Sequence, residues 1–159
     1  MKSTITILDY LPEHQSSIRR ILEKIGWAEQ YIASMEQSAN LLSKDKENYG
    51  VYMAISDKTV VGFLYVQYYA WNQLCQIQGL AVDPETQRHG IASALVDRAE
   101  GFAKTKKARG IYVDTPTRNS GGRKFYEAAG YQVGYIMPRY YEDKLDGITY
   151  QKFFDTVHR

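Results

Sequence analysis

The stretch LCQIQGLAVDPETQRHGIASALVDRAEGFAK, residues 74–104, changes its hydrophobic period part-way. Up to Val82 it reads as a strand. Beyond Gly90, the residues Ile91, Leu95, Ala99 and Phe102 fall on one face of a helix. A strand that runs through a short turn into an amphipathic helix belongs to an α/β layer, and the rest of the chain agrees. Residues 4–10 alternate as a strand. Pro12 opens a helix with Ile18, Ile21, Leu22 and Ile25 on one face and Gly26 as its stop. A second helix follows over about 28–43. YGVYMAIS and TVVGFLYVQYYAW flank Asp57-Lys58 as an antiparallel hairpin. Residues 110–115 form a strand, 119–130 a short helix capped by Asn119 or Ser120, and 131–137 and 148–154 the last two strands. The expected architecture is α/β, with one central mixed, mostly antiparallel sheet flanked by helices. No linker, repeat or low-complexity tract divides the chain, so residues 1–159 read as a single domain.

Composition excludes several classes. Twenty Lys and Arg against eighteen Asp and Glu leave a formal charge of +2, which gives no global argument for nucleic acid. The basic run KTKKAR, residues 104–109, sits at a helix C-terminus, where cations suit the dipole. No apolar run approaches the ~20 residues that span a bilayer, and the N-terminus lacks the apolar block of a signal peptide. Cys75 is the one cysteine and has no internal partner, which suits a reducing cytosol. His14, His89 and His158 are scattered, so metal-ligand spacing is absent. The reading is a cytoplasmic chain without a metal, with no nucleic-acid or membrane partner and with homodimer formation left open.

The turn QRHGIA at 87–92 opens the helix. The first N–H groups of a helix lack internal acceptors and carry positive dipole character, so such a start binds anions, phosphates above all. Gly90 permits close approach and a positive φ. The turn is neither a Walker loop nor a dinucleotide loop, and taken alone it says only that an anion fits.

A second segment, NSGGRKFYEAAGY, sharpens this. Gln87, Gly90 and Ala92 fit the pattern Gln/Arg-x-x-Gly-x-Gly/Ala, and Asn119, Phe125, Tyr126, Gly130 and Tyr131 fit a second pattern in the right strand–helix context. Together the two segments resemble the GNAT superfamily of N-acetyltransferases. The resemblance implies acetyl-CoA as co-substrate and a primary amine as acceptor, either a small molecule or a peptide N-terminus. By the same resemblance, the backbone of Arg88, His89, Gly90, Ile91, Ala92 and Ser93, beside Gln87, cradles the pyrophosphate. The strand edge at Leu80, Ala81 and Val82 and the side chain of Asn119 bind the pantetheine arm. An N–H near Leu80 or Ala81 faces the oxyanion, and Tyr126 gives a proton to the leaving thiolate. Cys75 and Ile77 lie on one parity of their strand and Leu80 and Val82 on the other, so a bulge at Gly79, as the family has, is expected.

Many family members carry a glutamate where this chain has Gln76, which cannot accept a proton at neutral pH. Glu29, Glu142, Asp143 and Asp146 are alternative carboxylates, each more readily explained as a surface acid. Asp114, close to Asn119, is expected to organise its loop. Tyr140-Tyr141 followed by acids is similar to the C-terminal hairpin of ribosomal-protein N-terminal acetyltransferases. The missing glutamate also leaves a rival open, a GNAT-like module that holds CoA as a sensor or scaffold without turnover.

Overall fold

The computed structural model describes residues 4–86 and 90–154. Its elements are β1 (Thr6–Asp9), α1 (Gln15–Ile25), α2 (Glu29–Leu42), β2 (Tyr49–Ser56), β3 (Thr59–Tyr69), β4 (Leu74–Val82), α3 (Ile91–Thr105), β5 (Gly110–Pro116), α4 (Ser120–Ala128), β6 (Gln132–Glu142) and β7 (Leu145–Phe153). Short 3-10 turns at Pro12–His14 and Pro84–Thr86 precede α1 and α3. The strands hydrogen-bond in the order β1-β2-β3-β4-β5-β7-β6. The fold is α/β, with one mixed, mostly antiparallel sheet and four helices.

The chain divides into two compact units, Met1–Gln67 with Gln78–Phe102, and Tyr68–Ile77 with Ala103–Arg159. In the first, β1 and β3 pair antiparallel with β2. Asp57 and Lys58 close the β2–β3 hairpin with φ of 49° and 66°. Two successive left-handed residues make the primed turn whose twist matches that of paired strands. Ile18, Ile21 and Leu22, spaced for one helical face, are fully buried with Ile32, Met53, Phe63 and Tyr65. Each such side chain contributes roughly 1.5–3 kcal/mol by leaving water. Ile25 departs from the expected face at 37% exposure. It is the last residue of α1, and the chain leaves the helix at Gly26 with φ of 95°. Ile91, Leu95 and Ala99 of α3 are wholly buried, as their spacing predicts. A Cβ on Gly62 would stand 3.0 Å from Ile91 Cγ2 and 3.1 Å from the Ala81 carbonyl, so α3 seats closely on the strands there.

In the second unit, β4 pairs in parallel with β5 from Leu74↔Gly110 to Ile77↔Val113, and β7 pairs antiparallel with both β5 and β6. The last two strands are longer than the periodicity predicts. β6 runs through Pro138 to Glu142, and β7 begins at Leu145. An edge strand tolerates a proline because one of its sides needs no ladder donor, and β6 is at the edge. Arg139, with φ of 57°, sits where the β6–β7 register shifts.

The end of β4 positions the turn that follows it. The Asp83 N–H donates to Val61 O at 2.8 Å. Its carboxylate, 5% exposed, accepts from the Glu85 N–H and from the Lys24 ammonium, both at 3.0 Å. Burial alone would raise the Asp83 pKa, but the Glu85 N–H and Lys24 outweigh it and hold the carboxyl below its ordinary range. A depressed pKa gives stability that is present above about pH 4 and lost as pH falls through the folded value. Asp83→Asn should therefore cost about 1–3 kcal/mol at neutral pH and flatten the acid limb of a denaturation-against-pH curve. An unchanged acid limb would remove the ion pair from this role.

Candidate active site

Gly90 adopts φ of 73°, and a Cβ built on it would meet nothing within 4 Å. Its carbonyl accepts the Ala94 N–H at 3.1 Å, so Gly90 is the residue from which α3 starts. The N–H groups ahead of that bond lie in the first turn, where helix geometry leaves them without intrahelical acceptors. The Ile91 side chain is buried, Ala92 half-buried and Ser93 exposed. A ligand therefore meets Ile91 through its backbone. Gln87, Arg88 and His89 lie outside the described residues.

In β4, Ala81 and Val82 are buried and Leu80 half-buried. Burial does not change parity at Gly79, since Cys75, Ile77, Gly79 and Ala81 are all buried in turn. The glycine instead admits the side chain of Met35 from α2. A Cβ there would overlap Met35 Cε. Cys75 is fully buried, and burial pushes its thiol up to about 12, which suits a core side chain and not a nucleophile.

Asn119 caps α4. Its Oδ1 accepts the Gly122 N–H at 3.1 Å, and its Nδ2 donates to Thr115 Oγ1 at 2.9 Å. The side chain thus ties the helix start to β5, and an arm contact would use the remaining Oδ1 lone pair or the second Nδ2 hydrogen. Tyr126 is 5% exposed and packs against Phe125, Tyr131 and Tyr150, with its ring stacked on that of Tyr150 at 6.0 Å. Its hydroxyl makes no hydrogen bond among the described residues, and burial raises its pKa. It is a neutral phenol with its proton uncommitted.

The acids considered from sequence are engaged or exposed. Glu29 forms a two-pronged pair with Arg19 at 2.8 and 2.9 Å. Asp143 pairs with Arg139, and Asp146 accepts the Arg139 N–H, each at 2.8 Å. Glu142 is exposed. Asp114 stands apart from them. The expectation that it organises the Asn119 loop gives way to a different set of partners. Gln76 Nε2 lies 3.5 Å from its Oδ2, and the Thr149 hydroxyl donates to its Oδ1. The Tyr69 hydroxyl donates to Gln76 Oε1 at 2.8 Å. Strand parity was the available signal, because Tyr112 and Asp114 alternate with buried Ile111, Val113 and Thr115.

Among the described residues, no group of three or more His, Cys, Asp or Glu side chains could hold a metal ion, and no helix is long and apolar enough to cross a membrane.

Comparison with known proteins places the chain in a family. The model of the acetyltransferase (GNAT) family matches residues 13–131. The chain belongs to that family. The GNAT fold is also that of a structure described as a GNAT-family acetyltransferase from Desulfovibrio desulfuricans, with a TM-score of 0.86 at 20% identity, covering 94% of this chain and 99% of that one. A structure described as a streptothricin acetyltransferase from Bacillus anthracis, in complex with acetyl coenzyme A, has a TM-score of 0.63 at 26% identity over 68% of this chain and 64% of that one. Streptothricin acetyltransferase of Escherichia coli is 28% identical over 90 residues, 57% of this chain and 51% of the relative. The chain thus spans about half the length of that curated relative.

Removing the Asn119 cap should loosen α4 at its start. Asn119→Ala is expected to cost about 1 kcal/mol, read as a lowered denaturation midpoint, with Asn119→Asp retaining most of the stability. Equal stability of the alanine variant would show that the cap contributes nothing.

Proposed function

We propose that this GNAT acetyltransferase moves an acetyl group from acetyl-CoA directly to a primary amine in a ternary complex, and that residues 1–159 form one acetyltransferase domain. The observation that carries the mechanism is the Tyr126 side chain, which is buried and keeps its proton, with a hydroxyl that has no hydrogen-bond partner among the described residues. In this reading the pyrophosphate lies on the backbone from Arg88 to Ser93, beside Gln87, with Gly90 giving it open access. The pantetheine arm follows Leu80, Ala81 and Val82 and reaches Asn119. An N–H near Leu80 or Ala81 faces the tetrahedral oxyanion.

The neutral amine nitrogen bonds to the thioester carbon, and the C–S bond breaks. Tyr126 protonates the departing thiolate, and the proton shed by the nitrogen restores the tyrosine through solvent. No acetyl-enzyme forms, which agrees with the buried, protonated Cys75. The site works on a cytoplasmic amine, and its acceptor is a small cationic amine or a peptide N-terminus.

Two measurements test this. Calorimetry should show acetyl-CoA binding, and thiol release should follow addition of an amine from a panel of polyamines, aminoglycosides and short peptides. Tyr126→Phe should lower kcat by roughly 10²-fold or more while acetyl-CoA affinity holds. Tight CoA binding with no transfer to any amine, unaffected by Tyr126→Phe, would instead establish a CoA-holding sensor module. Absence of acetyl-CoA binding would remove both readings.

A further inference from the structure

A cavity in the first unit gathers hydrogen-bond donors that lack acceptors. It lies between the start of α1 and the β2–β3 hairpin, and His14, Ser17, Arg20 and Lys58 supply its donors. Helical spacing brings Ser17 and Arg20 to one face of α1. The Arg20 Nη2 donates to Val60 O at 2.5 Å, which anchors the guanidinium against the hairpin. Its Nε is hidden from solvent and has no hydrogen-bond partner. A guanidinium offers a fork of N–H donors, and a single one of them finds an acceptor among the described residues. The Leu11 N–H donates to His14 Nδ1 at 3.0 Å. The neutral ring therefore keeps its proton on Nε2. That N–H, the Ser17 hydroxyl and the Lys58 ammonium have no acceptor among the described residues.

The acids that could neutralise these groups are engaged elsewhere or stand at the margin. Arg19 takes Glu23, Glu29 and Glu36. Lys24 takes Asp83 at 3.0 Å and Glu85 at 3.5 Å. Asp57 lines a neighbouring cavity that Arg20 also reaches. Among the described residues, neither Arg20 nor Lys58 forms an ion pair, and Glu13 is the one acid that lines the cavity itself. Glu13 is exposed, so water and salt screen its charge. α1 begins here without a side-chain cap and without an acid in its first turn. The positive end of its dipole therefore adds to Arg20 and Lys58. Guanidinium, ammonium, imidazole and hydroxyl donors from two elements suit an oxyanion with several oxygens, above all a phosphoryl group. Leu8 and Ile55 line the same cavity, and Leu8 is 45% exposed. An apolar substituent on the phosphate thus has a wall to lie against.

We propose that this cavity binds a small phosphate monoester, its phosphoryl group held by Arg20 and Lys58 with His14 and Ser17 as further donors, and its apolar group against Leu8 and Ile55. The site uses none of the residues of the turn into α3 and does not depend on the acetyl-transfer reading. Inorganic phosphate would fill the polar half alone. A carboxylate would bring too few oxygens for the donors present. Arg20 links occupancy to the fold, because the guanidinium that meets the phosphoryl oxygens also holds Val60, a buried residue of β3. A bound ligand therefore stabilises the hairpin by mass action.

The test titrates phenyl phosphate, inorganic phosphate and benzoate into the isotope-labelled full chain, with and without CoA, and follows the backbone amide resonances. Phenyl phosphate should shift His14, Ser17 and the hairpin residues Lys58 to Val60, whether or not CoA is present. Inorganic phosphate should shift the same residues with lower affinity, and benzoate should bind more weakly than phenyl phosphate. Lys58→Asn keeps a residue type that tolerates the left-handed turn and should weaken phenyl phosphate about tenfold, the scale of one charge-assisted contact. Glu13→Gln removes a like charge and should tighten it. Shifts confined to Gly90 through Ala94 and abolished by CoA would place the phosphate at α3 alone and overturn the site. Unchanged affinity in both variants, each altering a side chain without an ion pair, would overturn it as well. Inorganic phosphate binding as tightly as phenyl phosphate would overturn the monoester and assign the cavity to free phosphate. Benzoate binding as tightly would overturn the phosphoryl assignment.

Discussion

The way β4 ends is held by one buried carboxylate. Its last residue, Val82, is buried, and the next, Asp83, gathers the Glu85 N–H and the Lys24 ammonium while its own N–H holds Val61 O. That fixes the chain's exit from the sheet. Gly90 follows with a φ that glycine adopts without strain. Ile91 and Leu95 then anchor α3 in the core. An anion site made of backbone needs such rigidity, because N–H groups bind phosphate only if they are already aimed.

Asp114 rests on a different device, a carboxylate held by neutral partners, Gln76, Thr149 and Tyr140. Burying a carboxylate is costly unless it is hydrogen-bonded, and Gln76 and Thr149 meet that need without neutralising Asp114. A lysine or arginine in either place would have closed the site with an internal ion pair. A glutamate at Gln76 would have set two carboxylates side by side and raised the pKa of one of them. The glutamine reconciles satisfaction with residual charge. Burial likewise raises the Tyr126 pKa, so that phenol keeps its proton.

Much of this was legible where the determinants are local. The bounds of β4, the Asp57-Lys58 turn, the helix start at Gly90 and the Asn119 cap each follow from residues adjacent in sequence. The family signature at Gln87–Ala92 and Asn119–Tyr131 is local for the same reason. Features set by distant partners were not legible. Gly79 suggested a bulge, yet burial keeps its parity and the glycine accommodates Met35, a residue from another helix. The sequence pattern ends the sixth strand at Met137, yet β6 continues through Pro138 because it lies at the sheet edge. Asp114 had no distinctive neighbours in sequence. Its meaning comes from Gln76, Thr149 and Tyr140, which only strand pairing brings to it.

The proposed acetyl transfer turns on Tyr126 protonating the thiol. A crystal structure of the chain with a CoA–pentylamine bisubstrate conjugate tests this most directly. The pyrophosphate should lie on the N-terminal turn of α3 and the sulfur within hydrogen-bonding distance of the Tyr126 hydroxyl. A sulfur remote from Tyr126 would contradict it.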